Sequence, residues 1–234
     1  MVHDAGDQPT DGDARRATAT PTAGVEEPVS IRTADDLTLD GRFRLPEGAP
    51  AIVVIAHPHP TYGGSMEVPL VVSLARAVAD AGYGSLRFDF RGVGRSGGTH
   101  EGGRGEPVDV AAAVHAAHDL AGGAPVVLAG WSFGADMTLT CTDDVVAGWC
   151  TVAAPLRFAE GDALAAGADE RPKLLVVPRH DQFRDPDAAA EATASWPATD
   201  LVVVEGADHS LMGFSADVAA HLVGFVERVV SPAA

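Results

Sequence analysis

A chain of 234 residues, 46% hydrophobic and 21% charged, can bury one sizeable core and is neither disordered nor fibrous in composition. Sixteen Lys plus Arg against 33 Asp plus Glu leave a formal charge of −17, which repels phosphate backbones and anionic lipid and argues against nucleic-acid or membrane partners. The longest apolar run, 51–56, is far shorter than the ~18 residues a membrane span requires.

Residues 1–28 are rich in Asp, Thr, Ala, Gly and Pro and carry almost no large apolar side chains, so a disordered acidic tail is expected there. Residues 29–234 then form one domain. Arg15-Arg16 is not followed by the apolar stretch of an export signal. Cys141 and Cys150 are the only two cysteines and both sit in apolar surroundings, which fits reduced thiols and a cytoplasmic location.

Beyond the tail, short apolar runs alternate with Ala-rich stretches of helical period, the pattern of an α/β fold with a mostly parallel eight-stranded sheet and helices on both faces. Strands are predicted at 29–32, 37–45, 51–56, 84–90, 125–129, 145–152, 173–177 and 201–204. Helices are predicted at 66–81, 107–121, 133–141, 186–196 and 216–230, several opened by Pro or Asp. The first two strands read as a hairpin across Ala34-Asp35-Asp36, so one early strand runs antiparallel to the rest.

The pattern Gly-x-Ser-x-Gly occurs at 130–134 and at 94–98, against roughly 0.1 match expected by chance from composition. A nucleophilic serine needs a strand leading into a tight turn and then a helix, which pushes its oxygen out above the sheet edge. Ser132 has the apolar run 125–129 before it and a helical stretch after it, with Gly130 and Gly134 leaving room for a strained backbone. Ser96 is followed by Gly-Gly-Thr-His-Glu-Gly-Gly-Arg-Gly, a flexible stretch that gives a nucleophile no fixed aim. Ser132 is therefore the expected nucleophile.

A serine hydroxyl needs a histidine base, and the histidine needs a carboxylate to fix its tautomer. In a parallel sheet such groups lie beyond the strand C-termini. Asp181 follows the run 173–177 and His209 follows 201–204, and the order Ser132, Asp181, His209 suits a serine elbow served by later strand ends. Asp185 and Asp187 flank Pro186 and read as helix caps, and Asp208 as a loop hydrogen-bonder. His180 reads as a surface or pocket-shaping residue. His115 and His118 share a helix surface without a matched carboxylate, so no metal site is expected there.

The segment His57-Pro58-His59-Pro60 follows the run 51–56 on the same side of the sheet as the serine turn. Its prolines stiffen it and remove their own donors, leaving the His59 N–H as an oxyanion donor beside that of Phe133. His57 and His59 also have a metal-like spacing, but no third ligand accompanies them, and a loop-shaping role is preferred.

Ala-His-Pro-His-Pro-x-x-Gly-Gly-Ser-Met (56–66), Arg-Phe-Asp-Phe-Arg-Gly-Val-Gly-Arg-Ser (87–96), Gly-Trp-Ser-Phe-Gly (130–134), His-Asp-Gln-Phe (180–183) and Gly-Ala-Asp-His (206–209) together resemble the α/β-hydrolase superfamily. More narrowly, the chain is similar to small bacterial serine hydrolases with a His-Pro-His-Pro loop and almost no cap. The resemblance implies an α/β-hydrolase fold, Ser132 as nucleophile, His209 as base, Asp181 as its orienting carboxylate, and the His59 and Phe133 N–H groups as oxyanion hole. It also implies that Arg91 to Ser96, with Asp89, form a structural loop beneath the site. Asp136, an ionisable residue in a helix that such folds bury, is open to two readings, a first-turn cap or a reach to solvent.

Only 153–171 is available for a lid, so an open site is expected. Tyr62, Met66, Trp131, Phe183 and Leu211 are the expected substrate walls, suited to a small or medium apolar acyl or alcohol portion of an ester or thioester. A thioesterase, acyltransferase or peptidase on the same scaffold is the nearest alternative, and a non-catalytic binding protein the next. No cofactor is expected, the partner is a small-molecule substrate, and monomer and homodimer both stay open.

Overall fold

The computed structural model describes residues 24–159 and 164–231. The expected tail lies outside the described residues up to residue 23. Its last residues belong to the fold: β1 (Glu27–Arg32) begins two positions before the predicted start, and Glu26 pairs with Arg87 at 3.0 Å. The buried Arg87 guanidinium thus draws one carboxylate from the residue before β1 and a second from Glu67 at 2.9 Å.

The sheet continues with β2 (Thr38–Arg44), β3 (Ile52–Ala56), β4 (Gly84–Phe88), β5 (Val126–Trp131), β6 (Val146–Val152), β7 (Lys173–His180) and β8 (Thr199–Asp208). Its order is β1-β2-β4-β3-β5-β6-β7-β8. β2 runs antiparallel to both its neighbours and every other pairing is parallel, as the early hairpin implied.

Five helices cover the faces: α1 (Pro69–Asp80), α2 (Glu106–Leu120), α3 (Phe133–Thr138), α4 (Pro186–Ala192) and α5 (Ser215–Val230). α1 and α5 pack over Ala51, Val53 and Ile55, whereas α2 and α3 pack over Ile52, Val54 and Ala56. Alternate residues of β3 thus serve opposite cores, so the strand reads as an unbroken apolar run. Cys150 is fully buried, and burial pushes its thiol up to about 12, too high for a reactive thiolate.

Several boundaries differ from the sequence reading. α1 starts at Pro69 and not at Met66, because the Met66 N–H is taken by the Asp89 carboxylate at 2.7 Å. α3 stops at Thr138, where the Thr138 and Thr140 hydroxyls donate back to the Ala135 and Met137 carbonyls. β7 and β8 extend past their apolar cores, pairing as far as His180 with Asp208 across an irregularity at Pro178. That extension carries the residues after both strands to the sheet's C-terminal edge. Among the described residues no helix is long and apolar enough to cross a membrane.

Candidate active site

Ser132 occupies the turn between β5 and α3 with φ 54° and ψ −118°, a left-handed backbone that a non-glycine residue adopts only when its surroundings impose it. The turn is tight enough that a Cβ on Gly134 would come within 2.5 Å of the His57 carbonyl oxygen, and one on Gly130 would strike the Gly134 carbonyl. Both glycines of the motif are thus required by close backbone approach. The Ser132 N–H is tied to the Val152 carbonyl at 2.9 Å, which anchors the turn to β6.

Asp181 and His209 immediately follow β7 and β8. The His209 Nε2 lies 2.9 Å from the Ser132 Oγ, and its Nδ1 lies 2.8 Å from the Asp181 Oδ2. The other Asp181 oxygen accepts the Phe183 N–H at 2.8 Å, so the carboxylate is fixed at both ends. With Nδ1 donating to the carboxylate, Nε2 is left as an acceptor for the serine proton. The Trp131 indole donates to the His209 carbonyl at 3.3 Å, and the Phe183 ring stands edge-on to the imidazole at 4.5 Å.

The neighbouring loop keeps His59 beside the serine turn, its ring 5.0 Å from that of Phe133. Among the described residues neither the His59 nor the Phe133 backbone N–H donates to an acceptor. His57 has a different task. Its fully buried ring receives the Phe90 N–H on Nε2 at 3.1 Å, and its Nδ1 donates to the Pro58 carbonyl at 2.6 Å, which clamps this loop onto the end of β4.

Burial lowers the His57 imidazole from 6.5 to about 4, so it stays neutral in the folded protein near neutral pH. Because the folded value is depressed, its contribution is complete above pH 6.5 and is lost as pH falls through about 4. The full span corresponds to about 3 kcal/mol. In His57→Asn, chemical denaturation across this window should show that pH-dependent loss removed; equal slopes for both proteins would refute the assignment.

The second Gly-x-Ser-x-Gly is structural. The Ser96 hydroxyl donates to the Asp89 carbonyl at 2.7 Å and accepts the Asp40 N–H at 2.9 Å. Arg91 beside it chelates buried Asp109 and also reaches Glu101. Asp185 caps α4 by accepting the Ala188 N–H at 2.8 Å, and Asp208, at the end of β8, accepts the Ser210 N–H at 2.9 Å. His115 meets Asp143 at 2.7 Å, and His118 lies 2.9 Å from the Ala124 carbonyl. His180 is exposed on β7.

A cavity of about 320 Å³ opens over Ser132 and His209, lined among others by Tyr62, Trp131, Phe158 and Phe183. Three of the five expected wall residues are therefore in place. Met66 and Leu211 are corrections. Met66 is 2% exposed, turned into the interior where its N–H meets Asp89. Leu211 is 1% exposed and packs in the core shared by α1 and α5. Both are apolar residues in loops, where sequence does not reveal which side faces the core.

Pro58, Pro155, Arg157, Phe158, Gln182 and Ser210 complete that lining and were not foreseen as walls. The short β6–β7 connection was the available signal: with no room for a lid, its first residues must border the site. They are held there by Asp136, which is fully buried and neither caps α3 nor reaches solvent. Its carboxylate accepts the N–H groups of Leu156, Arg157 and Phe158 at 2.9, 2.8 and 3.0 Å.

The sheet order, the strand-turn-helix serine and the acid and histidine at successive strand ends define an α/β-hydrolase fold. The family model for the α/β hydrolase fold matches residues 53–145. A serine hydrolase homologue from Coxiella burnetii is 29% identical with a TM-score of 0.75, covering 86% of this chain and 97% of its own. A lidless serine hydrolase from Xanthomonas campestris is 26% identical with a TM-score of 0.79, covering 92% and 98%. An uncharacterized protein of Rickettsia prowazekii is 40% identical over 77 residues, a match spanning 32% of each chain. Fold and matches together make the chain similar to α/β serine hydrolases in its sheet, its serine turn and most of its length.

Proposed function

We propose that the protein is a cytoplasmic serine hydrolase that cleaves a carboxylic ester or thioester through an acyl-enzyme. The observation that carries this is the hydrogen-bonded series from Ser132 through His209 to Asp181, at 2.9 and 2.8 Å, on the floor of a cavity. Ser132 Oγ attacks the carbonyl carbon while His209 Nε2 takes its proton, and Asp181 stabilises the resulting imidazolium. The oxygen that becomes negative is received by the His59 and Phe133 N–H groups. As the tetrahedral intermediate collapses, His209 returns the proton to the leaving alcohol or thiol. Water, deprotonated by the same histidine, then releases the acid and restores Ser132. The apolar walls suit acyl or alcohol portions of small to medium size.

A fluorophosphonate reacts with a serine already activated by base and oxyanion hole, so it should attach to Ser132 and to no residue of Ser132→Ala, located by mass spectrometry. Folded protein that stays unlabelled would overturn the reading.

A further inference from the structure

We propose that the substrate carries an anionic group and that Arg157 is the residue that recognises it. This names the substrate class of the ester hydrolase proposed above and rests on that reading. Of the described residues lining the cavity over Ser132, Arg157 is the single permanently charged one, and none of them is acidic. That is a strong bias in a chain with 33 carboxylates and 16 basic residues. Among the described residues, Arg32, Arg42, Arg87, Arg91, Arg95, Arg171, Arg179 and Arg228 each hold an Asp or Glu, whereas Arg44, Arg76, Arg104 and Arg184, none of which lines this cavity, do not. Arg157 has no carboxylate partner among the described residues, although it stands at the mouth of the site.

Its position is not that of a free surface side chain. The Arg157 backbone is pinned to Asp136 at 2.8 Å. Its guanidinium carbon lies 4.7 Å from the Phe183 ring centre and 5.0 Å from that of Phe158. Phe183 packs on His209, and Phe158 packs on His59 and Phe133. The cation therefore bridges the two walls that border the reacting groups. Aromatic neighbours hold a guanidinium by its face and leave the in-plane N–H donors free, which is the edge that takes a carboxylate in bidentate fashion. With a net charge of −17 repelling anions at long range, an anionic substrate needs such a local cation to settle.

The test compares kcat/KM for phenyl hemisuccinate, phenyl butyrate and 4-carboxyphenyl butyrate, which place the charge on the acyl side, nowhere, or on the leaving group. The wild-type protein should prefer one charged ester over phenyl butyrate at least tenfold, and the favoured one shows on which side Arg157 reads the charge. Arg157→Met should cut that ratio at least tenfold through KM, and Arg157→Lys should restore part of it. Arg76→Met, at an exposed arginine on α1, should keep the ratio. A wild-type preference for the neutral ester, or a ratio untouched by Arg157→Met, would overturn the proposal.

Binding separates this from failure of the hydrolase reading itself. Calorimetry on Ser132→Ala, with the same three esters, should show the favoured charged ester bound at least tenfold tighter than by Ser132→Ala/Arg157→Met, even if no ester is turned over. Equal binding by the two proteins refutes the anion site whatever the fate of the chemistry.

Discussion

Asp181→Asn should lower kcat for an activated ester about 10⁴-fold while leaving the protein folded. The reason lies in how the two carboxylate oxygens are used. Oδ1 accepts the Phe183 N–H at 2.8 Å and Oδ2 accepts from His209 Nδ1 at 2.8 Å. An asparagine keeps the first bond only by presenting its oxygen to Phe183, which turns its NH₂ toward His209. The imidazole must then accept on Nδ1 and carry its proton on Nε2, the nitrogen that faces Ser132 at 2.9 Å. In that tautomer it donates toward the serine and has no lone pair with which to take the serine proton. The loss corresponds to about 5.5 kcal/mol of transition-state stabilisation. Because the Phe183 bond survives, thermal denaturation should shift by only a few degrees. Stopped-flow or steady-state hydrolysis of a 4-nitrophenyl ester measures the effect, and a fall of less than tenfold would remove Asp181 from the mechanism.

Ser132, Asp181 and His209 were legible because each is punctuated locally. Ser132 stands between an apolar strand and a helix and is flanked by obligatory glycines, and the other two come within a few residues of the ends of apolar runs. The sheet was legible for the same reason, since buried parallel strands are continuous apolar runs. Strand ends were less so: β7 and β8 continue through Pro178, Arg179, Glu205 and Gly206, residues whose types argue against a strand, because the ladder slips there and resumes beyond them where His180 pairs with Asp208. Loop residues were read by type and not by direction. Tyr62 and Met66 look equivalent in sequence, yet Tyr62 is 85% exposed at the cavity while Met66 is interior. Asp136 and Arg157 stayed unreadable together, because the bond that gives each its role spans 21 residues and exists only once β6 has turned back over α3.

That bond makes Asp136 a positioning residue, and its replacement should have the second large effect. The loop it holds is unfavourable by itself, since Ala153 and Leu156 sit at φ 49° and 51°, each costing about 1 kcal/mol or more for a residue with a Cβ. Three N–H groups converging on one buried carboxylate offset that cost, helped by Arg184, whose Nε donates to the Pro155 carbonyl at 2.8 Å. Burial pushes the Asp136 carboxyl above its usual range, while the three N–H groups and, more weakly, Arg184 pull it down. Asp136→Ala leaves three donors without an acceptor, for an expected loss of about 3–5 kcal/mol, short of the full sum because the freed loop admits water. For a chain of this size the melting temperature should fall by roughly 10 °C. Asp136→Asn, which can still accept on one oxygen but turns an NH₂ toward another donor, should lie between. A purely structural role would stop at stability. Here Pro155, Arg157 and Phe158 border the cavity, so the Asn variant should also raise KM several-fold with a smaller change in kcat, because Ser132, His209 and Asp181 make no side-chain bond to the described residues of this loop. Calorimetry and ester kinetics on the two variants read both effects, and unchanged KM in a destabilised protein would leave Asp136 to the core and not to the site.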